Sequence, residues 1–363
     1  MSRYDEYIEL LRQMVRIPSV SFEEGGVADL LSDYLSRCGI PIQRYGHNII
    51  ALNSHFDRSL KTLMMDAHID TVPPGESYSF DPFDPGNDEE IVRGLGSNDD
   101  GGCVVSSIAT FRHFFNVKLP FNLMLSISCE EERSGPAGMR MLFSLDGPLS
   151  GNGNLPHPDW ALVCEPTAMK AATSERGLLV LDGVATGTRG HAARGEGVNA
   201  LYKALDDIEV LRRHRFARVS ERMGEVRLNV TCISAGEAHN VIPDRCSFVV
   251  DVRPTDCYTN EEILSELQGL CRSELRPRNL SNRSSASRAA SPLVKAAESL
   301  GIETFSSPTT SNWMRIDCDA IKMGPGESAR SHKSDEFIKV SEIEEGIDTY
   351  MNFIDRFYGY TLE

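Results

Sequence analysis

The chain has 363 residues, more than one hydrophobic core comfortably serves, so two domains are expected. With 40% hydrophobic and 25% charged residues it has a globular composition, and a net charge of −16 argues against a nucleic-acid partner, because phosphate binding needs a basic face. No run approaches the ~18 apolar residues of a membrane span. The opening Met-Ser-Arg-Tyr-Asp-Glu carries no apolar signal core, and the nine cysteines are scattered without a CxxC pair. The expected setting is the reducing cytoplasm, with no membrane partner.

Tyr7, Ile8, Leu10, Leu11, Met14 and Val15 recur at helical spacing, which predicts a helix over about 4–16 closed by Ile17-Pro18. Val27, Leu30, Leu31 and Leu35 predict a second helix over about 24–38. Residues 49–52 and 63–65 read as strands, and the second runs into Asp66-Ala67-His68. A helix follows Gly101-Gly102 to Phe115. A strand over 121–128 delivers Glu130-Glu131-Glu132 at its carboxyl end, and a short strand over 160–164 delivers Glu165. Strands alternating with helices predict an α/β fold around a mostly parallel sheet, with a site beyond the carboxyl ends of the strands.

The pattern changes after Arg176. Strands over 178–186, 226–233 and 247–252 and helices over 199–213 and 260–271 predict a compact α+β insert. Residues 277–291 are polar and poor in apolar side chains, and read as a connector or mobile return segment. Helices after Pro292 and after Ser341 then return to the first domain.

Five features concentrate ionisable groups: His68-Ile69-Asp70, Asp99-Asp100 before Gly101-Gly102, Glu130-Glu131-Glu132, Glu165 and the late His332. Each has a plain explanation alone; Asp99-Asp100, for example, suits a helix N-terminus. Together they crowd carboxylates, and two of these about 4 Å apart repel by roughly 4 kcal/mol at an effective dielectric of 20. A pair of divalent cations would reverse the sign of that interaction. The Gly-rich stretches lack the GxGxxG and Walker patterns, which argues against a nucleotide site.

The order HxD, Asp-Asp-Gly-Gly, Glu-Glu, Glu-Pro and a late Ser-His-Lys resembles the zinc-dependent aminoacylase and glutamate-carboxypeptidase family, which includes acetylornithine deacetylase and succinyl-diaminopimelate desuccinylase. The resemblance runs from Arg16-Ile17-Pro18-Ser19 to the last helix. It implies a zinc-exopeptidase-like catalytic domain over 1–176 and 287–363, with helices on both faces of its sheet, and an inserted α+β dimerisation or lid domain over 177–286. It also implies two Zn2+ per subunit, with Co2+ able to substitute. His68 and Glu165 would bind one metal and Glu132 and His332 the other. Asp99 would bridge the two, and a cis peptide would follow it. Asp70 would orient His68, and Glu131 would act as general base. Which acid of the Glu130-Glu131-Glu132 triplet is base and which is ligand rests on the resemblance alone.

In the same family a Gly-His histidine, here His191, comes from the partner subunit of a homodimer and polarises the scissile carbonyl. Asn240 and Arg253 would contact the substrate's α-carboxylate, and Gly324 would line the pocket. Thr310-Ser311-Asn312 departs from the Ser-Asp that relatives often carry. The expected activity is hydrolysis of the amide of a small N-acyl amino acid, with N-acetylornithine deacetylation in arginine biosynthesis first. N-succinyl-diamino-acid desuccinylation, N-acyl-lysine deacylation and di- or tripeptide cleavage are alternatives, and a non-catalytic dimeric scaffold is a more remote one.

Overall fold

A computed structural model of the protein describes residues 3–360. Met1 and Ser2, part of the segment searched for a signal core, lie outside it. Two compact units form. One comprises the chain up to Thr173, Ala286–Phe305 and the chain from Ser311 onward; the other comprises Ser174–Ser285 with Ser306–Thr310.

The first unit is built on a nine-stranded sheet. Its centre runs parallel in the order Asn122–Ser128, Thr62–His68, Trp160–Val163 and Asp319–Lys322. These strands are buried along their whole length, which is why they read as nearly continuous apolar runs. Antiparallel strands extend both sides: Asn48–Leu52 with Ile42–Tyr45, and Ala171–Glu175.

Strand alternation divides the core in two. Leu63, Met65, Leu123 and Leu125 pack with the apolar stripes of helices Asp5–Val15, Gly25–Arg37, Gly102–Phe114 and Val340–Tyr360. Met64, Met124 and Ala161 pack with Met139 and Leu142 of a short helix and with Trp313 and Ile316. Among the described residues, no helix is long and apolar enough to cross a membrane.

The second unit carries a four-stranded antiparallel sheet in the order Arg227–Ala235, Arg245–Arg253, Leu179–Thr186 and Glu274–Pro277. Alternate residues Leu179, Leu181, Phe248, Val250 and Val252 are buried with Ala204 and Leu211 of helix Ala200–Arg213 and Ile263 and Leu267 of helix Asn260–Leu270. The Asn199 side chain caps the first helix, and a Thr259/Glu262 capping box starts the second. The return segment is not loose. Asn260 Nδ2 donates to the carbonyls of Leu280 and Asn282, and Ser285–Ala286 joins the edge of the large sheet. Backbone acceptors anchor it where apolar side chains are lacking.

Candidate metal centre

Three parallel strands bring their carboxyl ends to one place. His68 is the last residue of its strand and pairs in register with Ser128 of the next. Cys129 follows, and then the three glutamates. Glu165 comes two residues after the strand that ends at Val163. Asp99 enters from the turn Ser97–Gly101, which leads into helix Gly102–Phe114. The Asp99–Asp100 peptide is cis, as the resemblance implies. Gly96 opens the turn at φ +76, with Thr71 so close that a Cβ would meet it at 2.6 Å. His332 sits at φ +59, just before the strand Phe337–Lys339.

Two groups of potential ligands result. His68, Asp99 and Glu165 form one, and Asp99, Glu132 and His332 the other; within each, one donor atom per residue lies within 4.8 Å of the rest. Asp99 belongs to both. Its Oδ1 is 3.3 Å from His68 Nε2 and its Oδ2 is 3.7 Å from His332 Nε2. His332 Nε2 is also 2.9 Å from the Glu132 carboxylate.

The adjacent acids separate by their partners. Glu130, at φ +58, turns aside, and its Oε2 accepts from Ala137 N at 2.8 Å. Glu131 is placed near His68, Glu165 and Glu132, and burial, with the charges of both glutamates, pushes its carboxyl well above the ordinary range against the pull of His68. Asp100 is raised in the same way by burial and by Glu165, again opposed by His68. Burial works against the Asp99 charge, but His68 holds its carboxyl below the usual range. The bond to Glu132 pushes His332 up to about 9.

Asp70 lies beneath this cluster, fully buried. Its Oδ1 accepts from Glu131 N at 2.9 Å, and its Oδ2 from Glu132 N at 3.0 Å and Ser21 Oγ at 2.7 Å. His68 Nδ1 has the Asp70 carbonyl oxygen at 2.9 Å and the carboxylate at 3.5 Å, so the backbone is the nearer partner. Three residues absent from the sequence reading complete the setting. Ser21 holds Asp70. Glu24 takes the N–H of Glu130 at 3.1 Å and that of Phe22 at 2.8 Å. Glu336 takes the N–H groups of Gly96, Asn98 and Asp99. Burial, with the Asp99 charge adding to it, pushes the Glu336 carboxyl up to about 8. Ser21 meets the Asp70 side chain, whereas Glu24 and Glu336 accept from backbone N–H groups.

The donor set fits a pair of divalent ions. Each group offers one imidazole and carboxylate oxygens, a mixture zinc accepts. Burial does most to drive up Glu131 and Asp100, and the neighbouring carboxylates that add to it exert a repulsion that cations would relieve.

Gly324 lies in the same unit. Its N–H donates to Thr167 Oγ1 at 3.0 Å, and a Cβ there would come within 2.7 Å of Cys103 Sγ, Glu165 O and Tyr350 Oη, so no side chain fits. Asn312 is buried and donates to Asp66 at 3.1 Å and Ser128 at 2.9 Å. The remaining expected residues belong to the second unit. His191 and Asn240 come together there: Gly190–His191 pairs with Val241–Ile242, and Ala192 N donates to Asn240 O at 3.0 Å. The exposed His191 accepts from Ala193 N at Nδ1, which in a neutral ring leaves the proton on Nε2. The fork of Arg253 is engaged by Asp251, at 2.8 and 3.0 Å.

Residues 64–356 match the model of peptidase family M20/M25/M40. The chain belongs to that family. It is therefore a hydrolytic enzyme, an M20 amidohydrolase. It is 24% identical to the succinyl-diaminopimelate desuccinylase of Anaplasma marginale (strain Florida), covering 98% of each chain. It is 26% identical to the acetylornithine deacetylase of Edwardsiella ictaluri (strain 93-146), covering 93% of this chain and 94% of that one. In fold it resembles the M20 family metallo-carboxypeptidase Sso-CP2 from Sulfolobus solfataricus, with a TM-score of 0.76 at 17% identity, over 98% of this chain and 99% of the other.

Proposed function

We propose that this M20 enzyme is a two-zinc deacylase of N-acyl amino acids, with N-acetylornithine as its substrate in arginine biosynthesis in the cytoplasm. The observation that carries the metal reading is the double membership of Asp99, one carboxylate reaching both ligand groups. The near full-length match to an acetylornithine deacetylase supports the substrate. The 98% coverage of a succinyl-diaminopimelate desuccinylase supports desuccinylation as a second reading.

His68 and Glu165 would hold one Zn2+, Glu132 and His332 the other, and Asp99 both; Co2+ would serve in the same ligands. The chemistry such ions supply when bound is acidification of a water and polarisation of a carbonyl. Glu131 takes the proton of the attacking water and returns it to the leaving nitrogen. Asp70 fixes Glu131 and Glu132 through their backbone N–H groups. His191 of the partner subunit donates Nε2–H to the carbonyl oxygen in a homodimer formed through the second unit. Asn240 and Arg253 bind the α-carboxylate, Arg253 exchanging Asp251 for it, and Gly324 leaves room at the pocket wall. A panel of N-acetyl- and N-succinyl-ornithine, -lysine and -diaminopimelate, assayed with Zn2+ or Co2+, tests this. Highest kcat/KM for N-acetylornithine is expected. A preference for a succinyl substrate favours the second reading, and no turnover of any overturns both.

A further inference from the structure

We infer that Glu336 is a positioning residue that sets the metal affinity of this centre by fixing the backbone that carries Asp99. The inference rests on the two-metal reading. Glu336 is 2% exposed, and a buried carboxylate is tolerated only when its oxygens are satisfied. Its Oε1 accepts from Asn98 N and Asp99 N, both at 2.9 Å, and its Oε2 from Gly96 N at 3.1 Å. Its own carbonyl accepts from Gly94 N at 2.8 Å. The N–H groups of Gly94, Gly96, Asn98 and Asp99 are therefore all tied to one residue.

Elsewhere the Gly94–Asp99 stretch is held by Leu95 N donating to Pro82 O at 2.8 Å and Asn98 Nδ2 donating to Glu327 O at 3.1 Å, but the N–H groups of Asn98 and Asp99 have the Glu336 carboxylate as their acceptor. Asp99 has extended backbone angles, φ −121 and ψ 91, inside a turn, so no helical carbonyl is aligned with its N–H. Asn98 and Asp99 are buried away from water. Removing the Glu336 carboxylate would leave both N–H groups without an acceptor, and the turn would shift to find one. Because Asp99 is common to both ligand groups, such a shift is felt at both.

Glu336 also ties Asp99 to His332. It lies four residues beyond His332, at the start of the ribbon in which Phe337–Lys339 pairs with Ile91–Arg93. The segment carrying the histidine thus grips the turn carrying the carboxylate, and the two ligands meet at 3.7 Å. Groups that orient metal ligands in this way typically change metal affinity by about 10–100-fold when removed.

The test is a Co2+ titration of the chelator-treated full-length protein, followed by calorimetry and by the visible spectrum of the bound ion, on wild type, Glu336→Ala, Glu336→Gln and Asp99→Ala. Wild type is expected to take two equivalents. Glu336→Ala is expected to bind at least about 10-fold more weakly, with a changed spectrum. Glu336→Gln keeps one oxygen acceptor and should fall between the two, a graded rescue that a purely structural role would not give. Wild-type affinity and spectrum in folded Glu336→Ala overturn the inference. If that variant does not fold, wild-type affinity in Glu336→Gln does so. Two equivalents in wild type with no loss in Glu336→Ala would leave the two-metal reading standing, whereas no Co2+ uptake by wild type removes both.

Discussion

Asp70 accepts the backbone N–H of Glu131 at 2.9 Å, so an aspartate expected to steer a histidine steers the glutamates as well. Its second oxygen holds Glu132 N and Ser21 Oγ. Replacing it with an amide turns one acceptor into a donor facing an N–H group. Asp70→Asn is therefore expected to weaken metal binding about 10–100-fold and to lower kcat in parallel. Calorimetric titration beside steady-state kinetics checks this, and unchanged values for both would remove Asp70 from the support of the centre.

Glu131 belongs to neither ligand group, and burial keeps its carboxyl proton-avid. Glu131→Ala should cut kcat by about 10²–10⁴-fold, the usual contribution of a general base, while metal content stays near wild type. Elemental analysis of the purified variant decides the point. A loss of one metal would show that Glu131 and Glu132 have been interchanged.

His191 is exposed and belongs to the second unit, whereas all five candidate ligands belong to the first. His191→Ala should unfold at the wild-type temperature yet lose most of its activity. Mixing this variant with Glu131→Ala should restore part of the activity in verified heterodimers, because one of the two sites then has both residues. Heterodimers without recovery would mean that each chain builds its site alone.

Chelation should abolish turnover, and Zn2+ or Co2+ should restore it. An ion that binds only the native state at 100 times its Kd adds about 2.7 kcal/mol of stability. At about 2.1 cal/mol/K of unfolding entropy per residue, each kcal/mol corresponds to roughly 1.3 °C for a chain of this size, so differential scanning calorimetry should show the midpoint rising by about 3–4 °C per ion on reloading. A midpoint indifferent to both metals would contradict a centre formed by His68, Asp99, Glu132, Glu165 and His332.

Gly324→Ala should destabilise the protein by about 1–3 kcal/mol, because a methyl group there meets backbone at Glu165 and cannot be absorbed by one flexible side chain. Urea denaturation reads the loss. A variant as stable as wild type would mean that the strand end at Val163 yields easily.

The sequence made the candidate ligands legible because they follow apolar runs: His68, the glutamate triplet and Glu165 each punctuate a strand. It was less informative about direction. Simple alternation groups Glu130 with Glu132, but the left-handed backbone at Glu130 breaks the alternation and sends its side chain to Ala137. Glu24 and Glu336 were illegible for another reason. They act on backbone N–H groups, which every residue but proline has, so no pattern of side chains betrays them. The ribbon between Ile91–Arg93 and Phe337–Lys339 joins three-residue strands separated by most of the chain, and such short strands carry almost no periodic signal. The engagement of Arg253 by Asp251 likewise depends on strand geometry that composition does not record.

Ser287 N donates to Thr173 O at 2.9 Å, so the polypeptide leaves the large sheet and re-enters it at adjoining points. Because the two ends of this excursion meet, its length costs the scaffold little: doubling a closed loop adds only about 0.6 kcal/mol. The scaffold that carries the strand tips can therefore stay as it is while the detour between Thr173 and Ser287 changes in length.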